Sequence, residues 1–361
     1  MAEMKEHKSY FDLLRLGAAY CVVLMHTAYN GLNFDVSLRT GWVGLAAISS
    51  FTFCAVPLFF MISGSLMLDG RADVDSLLKK RVPHVVVPLL FWSLMHIFWS
   101  AHTGGNWSLS FIWQGMTEAL QKPVNVSFWF LYTLIGLYLI SPFLMMALER
   151  CNKKQHMLIL GLVVVLKLRT LARILWPGFY VSYLAFDVLD SLDFFGGNLC
   201  CYILGWYLGK TEKKLPGGVL LLAAALTFAA ILYGTVSRSL PSGAYIQDFQ
   251  SQSSFFEVLL GSCVFLLAKQ LGFRPGGRAA AVLEKLAPHS FCVYLSHALI
   301  LRIYSFNHGS MPLSFTAIVI LATAVYIIGI LLGQLLSYIP LLRYLSLGIC
   351  KAPQKRKMSF G

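Results

Sequence analysis

The chain is short of charge, and shorter still of negative charge. Of its 361 residues only 12% are Asp, Glu, Lys or Arg, and the 29 Lys and Arg face 16 Asp and Glu. An average soluble domain carries about 25% charged residues. With 57% hydrophobic residues as well, this scarcity excludes an ordinary soluble globule and predicts a polytopic membrane protein. CxxC pairs are absent, and most of the eight cysteines fall inside apolar runs, so neither a disulfide framework nor a structural metal is implied. No repeat of 20 to 50 residues is visible, which excludes a solenoid. The first apolar run lacks a small-residue cleavage pattern and holds Asp12, Arg15 and His26, so it is expected to persist as a helix and not to act as a signal peptide.

What the chain does contain is about ten apolar stretches near the length of roughly 20 residues that a helix needs to span a bilayer. They cover 10–29, 42–68, 84–101, 124–147, 157–177, 190–209, 216–236, 254–272, 288–305 and 313–345. The second and last are long enough to tilt or break. The fold expected is therefore all-α: one transmembrane helix bundle over residues 1–350, followed by a basic tail at 351–361.

The net charge of +13 raises the question of nucleic acid, which the positions of the cations decide. Alternate connections hold Lys5 and Lys8; Arg71, Lys79, Lys80 and Arg81; Arg150, Lys153 and Lys154; Lys210, Lys213 and Lys214; Lys269, Arg274, Arg278 and Lys285; and the tail. The opposite set has little beyond Arg39, Lys122, Arg238 and Arg302. This is the positive-inside pattern. It predicts ten spans with both termini cytoplasmic, and no nucleic-acid partner.

Within the first run, "FDLLRLGAAYCVVLMH", Arg15 and His26 stand eleven residues apart. On a helix that spacing puts them on one face, separated by about 16 Å along the axis. Ionisable groups in a span cost several kcal/mol unless they face protein or water, so their default reading is functional. Arg15 would sit toward the cytoplasm and His26 deeper. A guanidinium can grip the phosphates of a long activated donor while the donor's other end reaches an imidazole, the side chain suited to general-base work near neutrality. The plainer reading has Arg15 snorkelling to headgroups and His26 bonded to a neighbouring helix.

Arg15 and His26 resemble the hallmark of the acyltransferase-3 membrane proteins, an Arg and a His with ten residues between them in the first span. Four further segments resemble that family in order: "VPLFFMISGSLML" (56–68), "LLKKRVPHVVVPLLFW" (77–92), "QKPVNVSFWFLYTLIGLYLISP" (121–142) and "LAPHSFCVYLSHALI" (286–300). The second and fourth of the five are similar to the surface-polysaccharide O-acetyltransferases of the enterobacterial common antigen type. The resemblance implies transfer of acetyl from acetyl-CoA, as co-substrate and without a metal, to a hydroxyl of a surface or lipid-linked glycan, in a bacterial inner membrane. One departure is that Arg81 and His84 stand where the family often has two arginines three apart.

On that reading His26 is the general base and Asp12, fourteen residues from it, is a weaker catalytic candidate better suited to pairing with Arg15. Arg15 and Arg81 are expected to hold the CoA phosphates, with His84 and Lys80 beside them. Ser63 and Gly64, expected to interrupt the second span, are donor-site candidates by resemblance and packing residues otherwise. Trp129 and Tyr132 would line the cavity if the fourth span packs beside the first. His297 in the ninth span is either a structural hydrogen-bonding group or part of the site. Lys167, Arg169 and Arg173 in the fifth span suggest a wet cationic cavity for an anionic acceptor, and Asp187, Asp190 and Asp193 either pair with those cations or bind sugar hydroxyls. Glu257 is a further buried acid placed with the substrate group. A transporter or flippase is the alternative function, since ten spans with buried charge also suit a substrate or proton path. Against it, the two halves hold no corresponding pair of broken segments.

Overall fold

The computed structural model describes residues 8–34, 39–69, 74–176, 178, 195–251, 254–271, 277–309 and 314–349. All regular structure in them is helical. The helices are α1 (Ser9–Phe34), α2 (Arg39–Thr52), α3 (Ala55–Met67), α4 (Pro83–Gly104), α5 (Leu109–Glu118), α6 (Trp129–Arg150), α7 (Lys153–Leu175) and α8 (Cys200–Lys210). They continue with α9 (Gly217–Ser242), α10 (Phe255–Gln270), α11 (Arg278–Leu286), α12 (Ser290–His308), α13 (Phe315–Ser337) and α14 (Pro340–Leu347). A helical turn followed by a π-turn over Leu77–Arg81 leads into α4.

The described part of each of the ten apolar stretches is mostly helical, but among the described residues seven helical segments are long and apolar enough to cross a membrane. The other three stretches are not among the seven. α7 carries five Lys and Arg, the described part of the sixth stretch is helical mainly over Cys200–Lys210, and α10 has 16 residues.

The second and last stretches both break. Phe53 and Cys54 separate α2 from α3. Pro57 explains this, because it has no N–H to offer the Phe53 carbonyl four residues back and its ring crowds that carbonyl. Pro340 opens α14 and ends the run of α13 in the same way. The expected interruption at Ser63 and Gly64 is corrected, since α3 runs through both residues to Met67.

α1 is the hub. It touches α2, α3, α10, α11, α12 and α13, and apolar residues all round it, among them Leu14, Ala19, Val22, Val23, Ala28 and Leu32, are buried. A helix buried on all sides has to be apolar on all sides, apart from groups that meet polar partners. α3 and α8 cross more closely than any side chain would allow. A Cβ on Gly64 would lie 1.8 Å from the Tyr202 carbonyl oxygen, and one on Gly205 would lie 2.0 Å from that of Met61. Small residues at the crossing let two backbones approach, which is how helices gain packing energy in lipid. The free carbonyls at the end of α8 are then satisfied by Lys269 of α10, whose Nζ donates to Leu208 and Gly209 at 2.8 Å and to Thr211 at 2.6 Å.

This crossing gives a direct test. Gly205→Ala places a methyl inside a carbonyl's contact distance and should destabilise the protein by about 1–3 kcal/mol. Gly136→Ala, where nothing lies within 4 Å of the added Cβ, should be neutral or slightly stabilising. Thermal unfolding followed by size-exclusion chromatography in detergent would distinguish the two, and an equal response would refute the close crossing.

Candidate functional site

The polar groups of the core gather at two levels along α1. At its first turns Asp12 is buried and its Oδ1 lies 3.5 Å from Arg15 Nη1. The Arg15 side chain is 38% exposed, while its carboxylate partner anchors it from within. Arg81, on the π-turn before α4, and the Tyr138 hydroxyl of α6 both lie in its electrostatic reach. Tyr138 in turn meets Ser63 of α3. Five residues from four separate elements therefore converge: Asp12, Arg15, Ser63, Arg81 and Tyr138. His84 follows Arg81 on the first turn of α4, close enough to feel its charge. It is covered by the left-handed Gly348 at the end of α14, where a Cβ would come within 2.4 Å of the His84 carbonyl. Lys80 is exposed beside them. Two guanidinium groups with Ser and Tyr hydroxyls make a phosphate-binding chemistry, charged donors backed by neutral ones.

The second level is three turns further along the same helix. His26 of α1 faces His297 of α12 with ring centroids 5.1 Å apart. His297 is 0% exposed, and its Nδ1 lies 2.6 Å from the Tyr294 carbonyl. A ring nitrogen so close to a carbonyl carries the proton, which leaves Nε2 as the lone-pair nitrogen. Nε2 has no protein partner among the described residues. Tyr294 is itself fixed, its hydroxyl donating to the Ser127 carbonyl and its ring set against Phe59 and Phe130. His26 is partly exposed. The pair thus couples one rigidly held, buried imidazole with one that is partly exposed. His96 of α4 stands within electrostatic reach of His297. The histidines are not arranged as a metal site, since no cluster of three His, Cys, Asp or Glu among the described residues could hold an ion.

The remaining sequence candidates lie elsewhere. Gly64 is buried at the α3–α8 crossing. α6 packs mainly on α3, α4 and the turn before α4. Its Trp129 meets Phe60, while Phe130, not Trp129, touches the Tyr294 ring. The Tyr132 hydroxyl donates to the carbonyls of Ala119 and Lys122, tying α6 to the preceding loop. Lys167 and Arg169 are buried and Arg173 is exposed on α7, a helix that packs on α10 and the turn before α8. Asp187 lies outside the described residues, as do Asp190 and Asp193.

Glu257 is 0% exposed near the start of α10, beside Cys54 at the break between α2 and α3. Neither carboxyl oxygen has a hydrogen-bond partner among the described residues. A carboxyl buried without partners costs about 1–3 kcal/mol. Glu257→Leu, which keeps the approximate volume, should therefore raise the thermal unfolding temperature. A lower temperature would mean that the carboxyl is satisfied by a water or ion.

Two polar contributors escaped the sequence reading. His96 carries the same signal as His297, a histidine inside an apolar span. Tyr138 carries none, because one tyrosine in the aromatic-rich run "WFLYTLIGLYLI" is indistinguishable from another until the helix is placed. Comparison with known proteins gives one match: a family model described as an acyltransferase domain aligns with residues 8–339. No curated protein and no solved structure matches the chain.

Proposed function

Because this chain belongs to the acyltransferase-3 family of membrane acyltransferases, we propose that it is an O-acetyltransferase which moves acetyl from cytoplasmic acetyl-CoA to a hydroxyl of a cell-surface or lipid-linked glycan. The observation that carries this reading is that one unbroken helix, α1, bears the Arg15 cluster at one level and the His26–His297 pair at another. Their separation of about 16 Å suits a donor that is charged at one end and reactive at the other. The distribution of Lys and Arg supports placing the Arg15 end at the cytoplasmic side of a bacterial inner membrane, with both termini inside.

In this mechanism Arg15 and Arg81 hold the phosphates of CoA, with Ser63 and Tyr138 as neutral hydrogen-bonding neighbours; His84 and Lys80 add charge at the mouth. Asp12 orients Arg15. His26 takes the proton of the acceptor hydroxyl as its oxygen attacks the thioester carbonyl. The carbon–sulfur bond breaks as the ester forms, and the proton returns to the leaving thiolate. His297, held by Tyr294, positions His26 and receives part of the imidazolium charge.

Two variants test the division of labour. His26→Ala should lower acetyl transfer by about 100-fold or more, the usual contribution of a general base, with folding intact. Arg15→Ala should act on the donor instead, raising KM for acetyl-CoA about tenfold, near 1.4 kcal/mol, with partial recovery in Arg15→Lys. Radiolabelled acetyl-CoA and purified protein in nanodiscs provide the assay. Transfer at the normal rate by His26→Ala would refute the mechanism, and movement of a glycan without any acetylated product would favour the transporter reading.

A further inference from the structure

His96 is the least explained polar group in the molecule. It is 0% exposed on α4, and both ring nitrogens lack a hydrogen-bond partner among the described residues. A neutral imidazole has one donor and one acceptor, and leaving both unmet in a dry core costs free energy that packing does not return. Among the described residues its close ring neighbour is Phe128, met edge-on at 5.3 Å, which satisfies neither nitrogen. A group left in this state usually faces a water or ligand position.

The surroundings specify what such a ligand would look like. α4 packs against α12, and Arg302 of α12 lies within electrostatic reach of His96. No carboxylate among the described residues pairs with Arg302. Further toward the same end of the bundle the two helices are bridged by Trp99 and Phe306, whose rings meet edge to face at 5.5 Å. Phe306 is largely exposed. Aromatics at a membrane interface are common, but a pair joining the two helices that supply a buried unmatched imidazole and an exposed guanidinium without a carboxylate partner among the described residues has the composition of a binding site: an apolar platform with a few convergent polar groups.

We propose that His96, Arg302, Trp99 and Phe306 form the acceptor subsite, and that it takes a sugar bearing a carboxylate. The inference rests on the O-acetyltransferase reading for its biological role, but the binding itself does not. The carboxylate meets Arg302, a ring hydroxyl bonds His96, and the apolar face of the sugar lies on the Trp99–Phe306 platform. His96 lies within electrostatic reach of His297, which sets this subsite beside the His26–His297 pair.

Binding of 4-nitrophenyl β-D-glucuronide and 4-nitrophenyl β-D-glucoside to the full-length protein in nanodiscs, measured by isothermal titration calorimetry, tests this. The two probes differ in a carboxylate against a hydroxymethyl. The glucuronide should bind at least about tenfold tighter, about 1.4 kcal/mol, and the preference should shrink with added salt. Arg302→Gln should bring the glucuronide down to the glucoside's affinity, with glucoside binding reporting that the variant is folded. His96→Leu should weaken both sugars alike, and His96→Gln, which keeps a donor and an acceptor, should restore them in part. Equal binding of the two sugars, binding of neither, or a preference that survives Arg302→Gln would overturn the proposal. Normal sugar binding by a protein that transfers no acetyl would leave the subsite standing and remove the enzymatic reading.

Discussion

A charged or hydrogen-bonding side chain facing hydrocarbon costs several kcal/mol, and α1 carries Asp12, Arg15 and His26 through the middle of the bundle. Each of these must be met by something other than lipid. The arrangement of the other helices can be read as the answer: α6 and the turn before α4 bring Tyr138 and Arg81 to the Arg15 level, and α12 brings His297 to the His26 level. Placing α1 at the hub, in contact with six other helices, is therefore both the packing solution and the means of assembling two polar sites on one axis.

The close contacts around that hub serve the same end. The glycine-mediated crossing of α3 and α8 fixes the helix that holds Ser63. Buried polar side chains collect around the break at Phe53 and Cys54. Gln250 there donates to Ser50 at 2.9 Å and accepts from Ser49 at 3.2 Å, so the amide is tied to α2 in the apolar core. Tyr294 performs a similar task at the other level, bonding its hydroxyl to Ser127 while its carbonyl holds the His297 ring. At both levels the groups beside α1 are held by hydrogen bonds from other elements, which is how a packed bundle fixes polar side chains.

Much of this was legible in the residues alone. Apolar length revealed the long helices but not the short α5 and α11, because a bilayer demands long runs whatever the tertiary arrangement. The Arg15–His26 spacing follows from helical geometry and holds because α1 is continuous. Span number was less legible: α7 is as long as its neighbours but carries five Lys and Arg, and α10 has only 16 residues. Gly64 illustrates a second difficulty. A glycine in a span is compatible with a ligand's approach or a backbone's, and only the position of Tyr202 identifies which neighbour fills the space.

By itself the sequence determined an all-helical membrane protein, a first helix with a cation and an imidazole on one face, and membership of an acyltransferase family. The first two depend on composition and local periodicity, and the third on motif order along residues 8–339. The tertiary structure decided that His297 pairs with His26, that Tyr138 and Ser63 join Arg15 and Arg81, that Trp129 and Tyr132 serve other contacts, and that His96 stands unmatched beside the pair. Those residues lie tens to hundreds of positions apart, and no local rule relates them. Their proximity follows from which helices can pack at backbone distance around α1 while keeping its polar groups out of lipid.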